Sequence, residues 1–458
     1  MNKIIPLIFL TLFLLIPQHQ ADLKNIPAQG DEIQYWEIGY GIYSSGEYKR
    51  EILENSIDEN IKIELGYRRG EPVYPLLIAG VIKVLNLFED VLITDCKSID
   101  CSVFDEEVAL LVFIAQVIKL IIVFKVYSIL KLKYSYITSV ALTLTLLLML
   151  PIEYKDLITI FLLLIGLDFY YKKNWLGIFV LSFLPLSNAV FLYILPLAIA
   201  VDFFYKKKNY RKLILTLTIL LLPSIGWMSR NYISVNEFSI TGRGSEVLSI
   251  RAEYSTNSYD QIRAGYIYYT PGRPFFLNLI QGRLWSYVTE TGSDIVYDRS
   301  NTKSSYRMAK NLTGVVGSKI EYENFELKSY IEKQKILNAI SFDLIRENSM
   351  KHLLLSTVFG YRGMFPSINF DFIDFYSVPE FISFFIKEVF SILRLFFVPY
   401  GLIKATTSLL NKKASLPLII FITLWGFFAF LTHFIPRYST YLLIPALLFI
   451  AKIDNEEL

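Results

Sequence analysis

The chain has 458 residues, is 53% hydrophobic and 16% aromatic, and carries a formal net charge of +3. Its apolar residues fall in long runs, which excludes an ordinary soluble multidomain enzyme. The balanced charge, with no basic domain, excludes nucleic acid as a main partner.

The run from Ile4 to Pro17 follows Met-Asn-Lys and reads as an uncleaved first span. A signal peptide fits the same pattern, although Gln18-His19-Gln20-Ala21 is a poor cleavage site. Either reading sends the next loop outside. In that loop, Gly30-Asp31-Glu32 opens a helix expected over 32–46, with Ile33, Trp36, Ile38, Tyr40 and Tyr43 on its apolar face. The apolar run from Pro75 to Phe88 is short for a span and reads as an interfacial or buried helix. Cys96 and Cys101 are the two cysteines, and their spacing suits either a local disulfide or two free thiols. They do not make a zinc site, since no histidine lies beside them.

Further apolar runs cover 107–130, 135–152, 156–171, 175–187, 189–205, 213–229, 380–403, 415–435 and 438–452. With the first they predict an all-α polytopic membrane protein of about ten spans. Pro185-Leu186-Ser187-Asn188 marks a turn between two of them. Lysines and arginines test the count. Lys131 and Lys133, Lys172 and Lys173, the Lys206–Lys212 cluster, and Lys404, Lys412 and Lys413 all fall on Lys3's side. Positive loops mark the cytoplasm, so both termini are expected there and regions 18–106 and 230–379 outside. Within the second region, Ile340 to Phe365 reads as an interfacial helix leading into the next span. Three parts are expected: a membrane core with its first loop over 1–240, an extracytoplasmic region over 241–379, and C-terminal spans over 380–458.

Asp31 and Glu32 lead the residues that could carry chemistry. A carboxylate in a membrane-surface pocket can act as a general base or hold a divalent cation. The same pair also suits a helix N-terminus, where negative charge is favoured. Asp156 starts the run from Leu157 and stands at the outer mouth of a span, as catalytic acid or as cap. Asp168 and Asp202 flank spans on the cytoplasmic side beside lysines and read as satisfied interfacial charges. Arg68, Arg69, Arg230 and Arg437 could grip phosphate; Arg230 and Arg437 could equally anchor span ends among aromatic rings. His433 reads as structural. Lys119, Lys125 and Arg394 fall inside expected spans, the two lysines near enough to the cytoplasmic half to snorkel.

Several segments together carry a family likeness. They are Asp31-Glu32-Ile33-Gln34-Tyr35, Ser45-Gly46-Glu47-Tyr48, Pro72-Val73-Tyr74-Pro75, Trp227-Met228-Ser229-Arg230-Asn231-Tyr232 and Arg437-Tyr438. In that order, with the topology above, the chain resembles GT-C fold glycosyltransferases. The likeness is closest to the branch of lipopolysaccharide-modifying transferases, lipid A aminoarabinose transferase and protein O-mannosyltransferases. It is best over the first 240 residues.

The resemblance implies an inverting sugar transfer from a polyprenyl-phosphate carrier to an extracytoplasmic lipid, polysaccharide or protein. It implies an inner-membrane location with the active site on the periplasmic or extracellular face. Asp31 then matches the first-loop general base or metal-associated carboxylate, with Glu32 its neighbour. Asp156 matches the second outer acid, with Glu153 as alternative. Arg230 and Arg437 would face the carrier phosphate. Some relatives place an acid, a lysine and two prolines in the first-loop turn; here it reads Arg69-Gly70-Glu71-Pro72. That departure leaves Arg69 and Glu71 as substrate-binding candidates and leaves open whether a divalent cation, held by Asp31 and Asp156, takes part. A transporter or flippase of lipid-linked saccharides is the alternative, and would show inverted repeats and midplane charges. A non-catalytic assembly factor would tolerate loss of Asp31.

Overall fold

The computed structural model describes residues 32–50, 63, 66–68, 70–85, 105–150, 154–206, 209–321, 325, 328–370, 373, 377–411, 415–432 and 436–451. The first span, Asp31, Arg69, Cys96, Cys101, Glu153 and His433 lie outside these residues. Among the described residues the chain is all-helical, with no strand. It divides into two compact units. One joins residues 1–241 with 369–378 and 451–458; the other joins 242–368 with 379–450.

In the first unit the helices are α1 (Glu32–Ser45), α2 (Val73–Leu85), α3 (Asp105–Leu130), α4 (Tyr136–Met149), α5 (Tyr154–Tyr171), α6 (Leu176–Leu181), α7 (Leu184–Ser187), α8 (Phe191–Tyr205) and α9 (Tyr210–Val235). Two segments, Leu110–Leu130 and Tyr210–Val235, are long and apolar enough to cross a membrane. At about 1.5 Å per residue they reach roughly 31 and 39 Å, against a hydrocarbon core of about 30 Å. The other apolar helices are shorter, at 10–17 residues. The run over 175–187 is two short helices, because Pro185 sits in the first turn of α7 and has no N–H to continue α6.

α1 crosses α2 closely at Gly39, where a Cβ would stand 2.6 Å from Ile78 Cγ2. That approach seats Tyr35 and Trp36 of α1 on Tyr74, Ile78 and Ile82 of α2, with Leu111 of α3 and Ile158 of α5 completing the cluster. Tyr35 and Tyr74 meet edge to face at 5.6 Å. Each ring taken from water contributes about 1.5–3 kcal/mol.

Ion pairs join the helix ends. Lys125, late in α3, pairs with Asp168, late in α5, at 2.7 Å, and Lys172 joins at 3.1 Å. Asp202, late in α8, takes Lys206 at 2.7 Å and the Tyr170 hydroxyl at 3.2 Å. The C-terminal ends of α3, α5 and α8 are thus neighbours. Asp168 and Asp202 are buried and held by lysines, the satisfied charges expected from the sequence. Asp156 lies three turns away, roughly 18 Å, at the other end of α5.

The second unit contains α10 (Gly244–Ser255), α11 (Tyr259–Tyr268), α12 (Phe275–Glu290), α13 (Ser293–Tyr297), α14 (Ser305–Lys310), α15 (Val315–Ser318), α16 (Tyr330–Glu347), α17 (Ser349–Arg362), α18 (Glu380–Arg394), α19 (Val398–Leu410), α20 (Leu416–Leu431) and α21 (Thr440–Ile450). Capping boxes start α11 at Ser258 and Gln261 and α16 at Ser329 and Glu332. Two expected single helices are each two. The 340–365 stretch breaks at Asn348, whose side-chain amide donates to Leu344 O at 3.0 Å and closes α16. The 380–403 stretch breaks before Pro399, in the first turn of α19, so it is no single span. Arg394, expected inside that span, is buried and donates to Arg273 O at 2.6 Å and Pro366 O at 3.3 Å. It ties α18 to two loops.

In this unit Glu253 accepts from Val315 N and Val316 N, both at 2.9 Å, and so caps α15. His352 of α17 is half-buried, with Ser255 Oγ 3.2 Å from its Nδ1. Burial and then the neighbouring Arg251 charge push its pKa down from 6.5 to about 4. The folded chain therefore binds fewer protons here than the unfolded one between those values, and stability drops as pH falls through that window. Thermal unfolding should show a His352→Gln variant losing less of its melting temperature than wild type between pH 6.5 and 4.

Candidate functional site at the start of α5

Three separated segments of the first unit interlock: the turn before α2, the start of α5, and the end of α9. The turn is set by Gly70, whose φ of +60° is the left-handed region. A Cβ there would fall 2.4 Å from both Ile240 O and Thr241 Cβ. Glycine lets the turn lie flat on the chain leaving α9. Thr241 Oγ1 donates to Arg68 O at 2.9 Å, and the Tyr67 and Ser239 hydroxyls meet at 2.5 Å. Asn231, in the last turn of α9, clamps the departing chain through Ser239 O at 2.8 Å and Ile240 O at 3.1 Å.

Trp227 Nε1 donates to Gly70 O at 2.9 Å. Its ring meets Tyr48 edge-on at 4.9 Å, and the Arg230 guanidinium lies 5.3 Å from both ring centres. Arg230 Nη1 also donates to Asn231 Oδ1 at 3.1 Å. Rings and an amide therefore hold this arginine as a partly buried cation. Glu47 adds a distant negative charge.

Next to Gly70, Glu71 accepts from the Tyr35 hydroxyl at 3.0 Å and from the Lys155 ammonium. Both charged side chains are nearly buried, at 10% and 12% exposure for Lys155 and Glu71. Lys155 Nζ also stands 5.5 Å from the Tyr35 ring. Asp156 follows in the first turn of α5 and is 1% exposed. It lies within Coulombic reach of Lys155. Thr159, one turn on, donates to Lys155 O at 2.9 Å and to Ser187 Oγ at 3.1 Å, which fixes α5 against α7.

Among the candidates drawn from the sequence, the structure brings together Glu71, Asp156 and, through Gly70 and Trp227, Arg230. Glu32 begins α1, and its side chain lies outside the described residues, as do Asp31 and Arg69. Arg437 falls in a 3-10 turn, Pro436–Ser439, which belongs to the second unit, and its side chain is likewise outside. Sequence reasoning missed Lys155, Tyr35 and Tyr48 as members. Lys155 carried one signal, its place beside Asp156 at a span mouth. Its partner lies 84 positions earlier, beyond any local pattern.

Comparison with protein families, characterised proteins and solved structures finds no match.

A buried carboxylate beside a fixed ammonium can act as a general base. A guanidinium over an indole and a phenol offers a cation with flat apolar surface, which suits a phosphate attached to a sugar or lipid. No group of three His, Cys, Asp or Glu occurs among the described residues, and Asp31, the expected partner of Asp156 for a divalent cation, lies outside them.

Proposed function

We propose that the protein is an integral membrane inverting glycosyltransferase of GT-C type, working outside the cytoplasmic membrane with a polyprenyl-phosphate-linked sugar as donor. The acceptor is a glycan, a lipid or a protein. The observation that carries this reading is the convergence of Glu71, Lys155–Asp156 and Trp227–Arg230 from three distant segments on one end of the first unit. The lysine-bound Asp168 and Asp202 occupy the opposite end of α5 and α8. That polarity suits a bundle with a cytoplasmic lysine-rich face and an outer reactive face. In this reading α4, α5, α6 with α7, α8, α20 and α21 cross together with α3 and α9, and the first apolar run brings the count near ten.

The acceptor hydroxyl oxygen attacks the anomeric carbon on the side opposite the phosphate. The carbon–oxygen bond to the carrier phosphate breaks and its electron pair leaves with the phosphate, which inverts the configuration. The hydroxyl proton passes to a carboxylate, Asp31 or Asp156. Arg230, with Arg69, neutralises charge on the departing lipid phosphate. Glu71 holds Lys155 and so fixes the electrostatics around Asp156.

The test is transfer of labelled sugar from a polyprenyl-phosphate donor by purified protein in lipid vesicles. Wild type should form product and Asp31→Asn should slow it about 10²–10⁴-fold if Asp31 is the base. Undiminished transfer by a well-folded Asp31→Asn would leave Asp156 as the base, and no transfer by wild type with any polyprenyl donor would remove the reading.

A further inference from the structure

The second unit contains a buried cation that the transfer reading does not use. Arg251 of α10 is 0% exposed. One of its terminal nitrogens, Nη2, donates to Ser356 Oγ at 2.5 Å and His352 O at 3.3 Å. Its plane lies 4.7 Å from the centre of the Phe359 ring. Nε and Nη1 are buried with no hydrogen-bond partner. No carboxylate pairs with Arg251 among the described residues: Glu253 caps α15, and Asp298 accepts from Ser300 N and Oγ. A guanidinium taken out of water needs its donors met and its charge balanced.

The surroundings add donors. Tyr254 and Tyr297 are 1% exposed and stack at 5.7 Å, and Tyr269 stands 5.1 Å from Tyr297 and 6.1 Å from Phe359. Asn257 stands within hydrogen-bonding reach of the Tyr297 hydroxyl, whereas Arg299 Nε is buried without a hydrogen-bond partner. Arg362 lies over the Tyr269 ring at 4.3 Å and donates to its hydroxyl at 3.3 Å. Burial raises the Tyr254, Tyr269 and Tyr297 phenols, so none is a phenolate counter-ion at neutral pH. Asp298 and Asp294 both lie near Tyr268, and Asp294 holds one buried oxygen without a hydrogen-bond partner. Arg251, Arg299 and Arg362 all lie within Coulombic reach of Tyr269, and Asp294 offers one unpartnered acceptor.

We infer that the Arg251–Arg299–Arg362 cluster is a binding site for an oxyanion, the phosphate or carboxylate group of an extracytoplasmic ligand. The anion supplies the acceptors that Arg251 and Arg299 lack, and the tyrosine rings receive the apolar or sugar part of the ligand. Half-buried Tyr268, Tyr269 and Arg362 form its open side. The inference stands whether or not the first unit transfers sugar.

Thermal unfolding of the full chain in detergent tests it, with inorganic phosphate, glucuronate, glucose, and chloride at matched ionic strength. Phosphate or glucuronate should raise the melting temperature, and glucose and chloride should not. Which of the two acts more strongly separates a phosphate from a carboxylate ligand. Arg251→Gln and Arg362→Gln should each raise the apparent Kd at least about tenfold, since each removes a charge-assisted contact. If Arg251→Gln does not fold, Arg362→Gln decides. A wild type indifferent to both anions, or variants that respond like wild type, would overturn the assignment.

Discussion

Lys155→Met should lower stability by about 3–5 kcal/mol, the cost of leaving a buried charge without its partner. Glu71 and Lys155 are nearly withdrawn from solvent, and the ammonium and the Tyr35 hydroxyl are what Glu71 has in exchange for water. The double variant Lys155→Met with Glu71→Leu should recover most of the loss, because two apolar side chains replace a pair rather than stranding one member. Unfolding of the two single variants and the double in detergent measures the coupling. A Lys155→Met protein as stable as wild type would mean that the pair is solvated and does not organise the start of α5.

Gly70→Ala is the second large effect. An alanine at φ +60° costs about 1–2 kcal/mol in backbone conformation. Overpacking against Ile240 O and Thr241 adds about 1–3 kcal/mol. The turn also carries the carbonyl that holds Trp227, so its displacement loosens the support under Arg230. A loss of about 2–5 kcal/mol in unfolding, with reduced sugar transfer, is expected. Gly226→Ala is the control, one turn from Arg230: a Cβ there meets nothing within 4 Å, and in a helix alanine is favoured over glycine. Equal behaviour of the two variants would contradict the packing of the turn on residues 239–241.

The helices were legible where periodicity and caps agree. Region 32–46 emerges as Glu32–Ser45 and region 213–229 lies inside Tyr210–Val235. Runs over 175–187 and 380–403 looked continuous because apolarity does not report a missing N–H; Pro185 and Pro399 decide those breaks. Asp168 and Asp202 were legible as satisfied charges because their lysine partners include near neighbours in sequence. Lys155 and Glu71 were not read as a pair, because nothing local links positions 71 and 155. Arg251 was invisible for the same reason. Its burial arises only when α10, α13 and α17 pack together, and its stretch of sequence is polar.

The central claim is that the start of α5, not its far end, is the reactive end. The most direct measurement is the initial rate of labelled-sugar transfer by wild type, Asp156→Asn and Asp168→Asn at equal amounts of folded protein. Both aspartates sit on α5 and both are buried. Asp156→Asn should lose transfer about 10²-fold or more, whether it serves as base or as the fixed charge beside the acceptor, while Asp168→Asn should keep the wild-type rate per folded molecule. Full transfer by Asp156→Asn, or equal losses in both variants, would contradict the account.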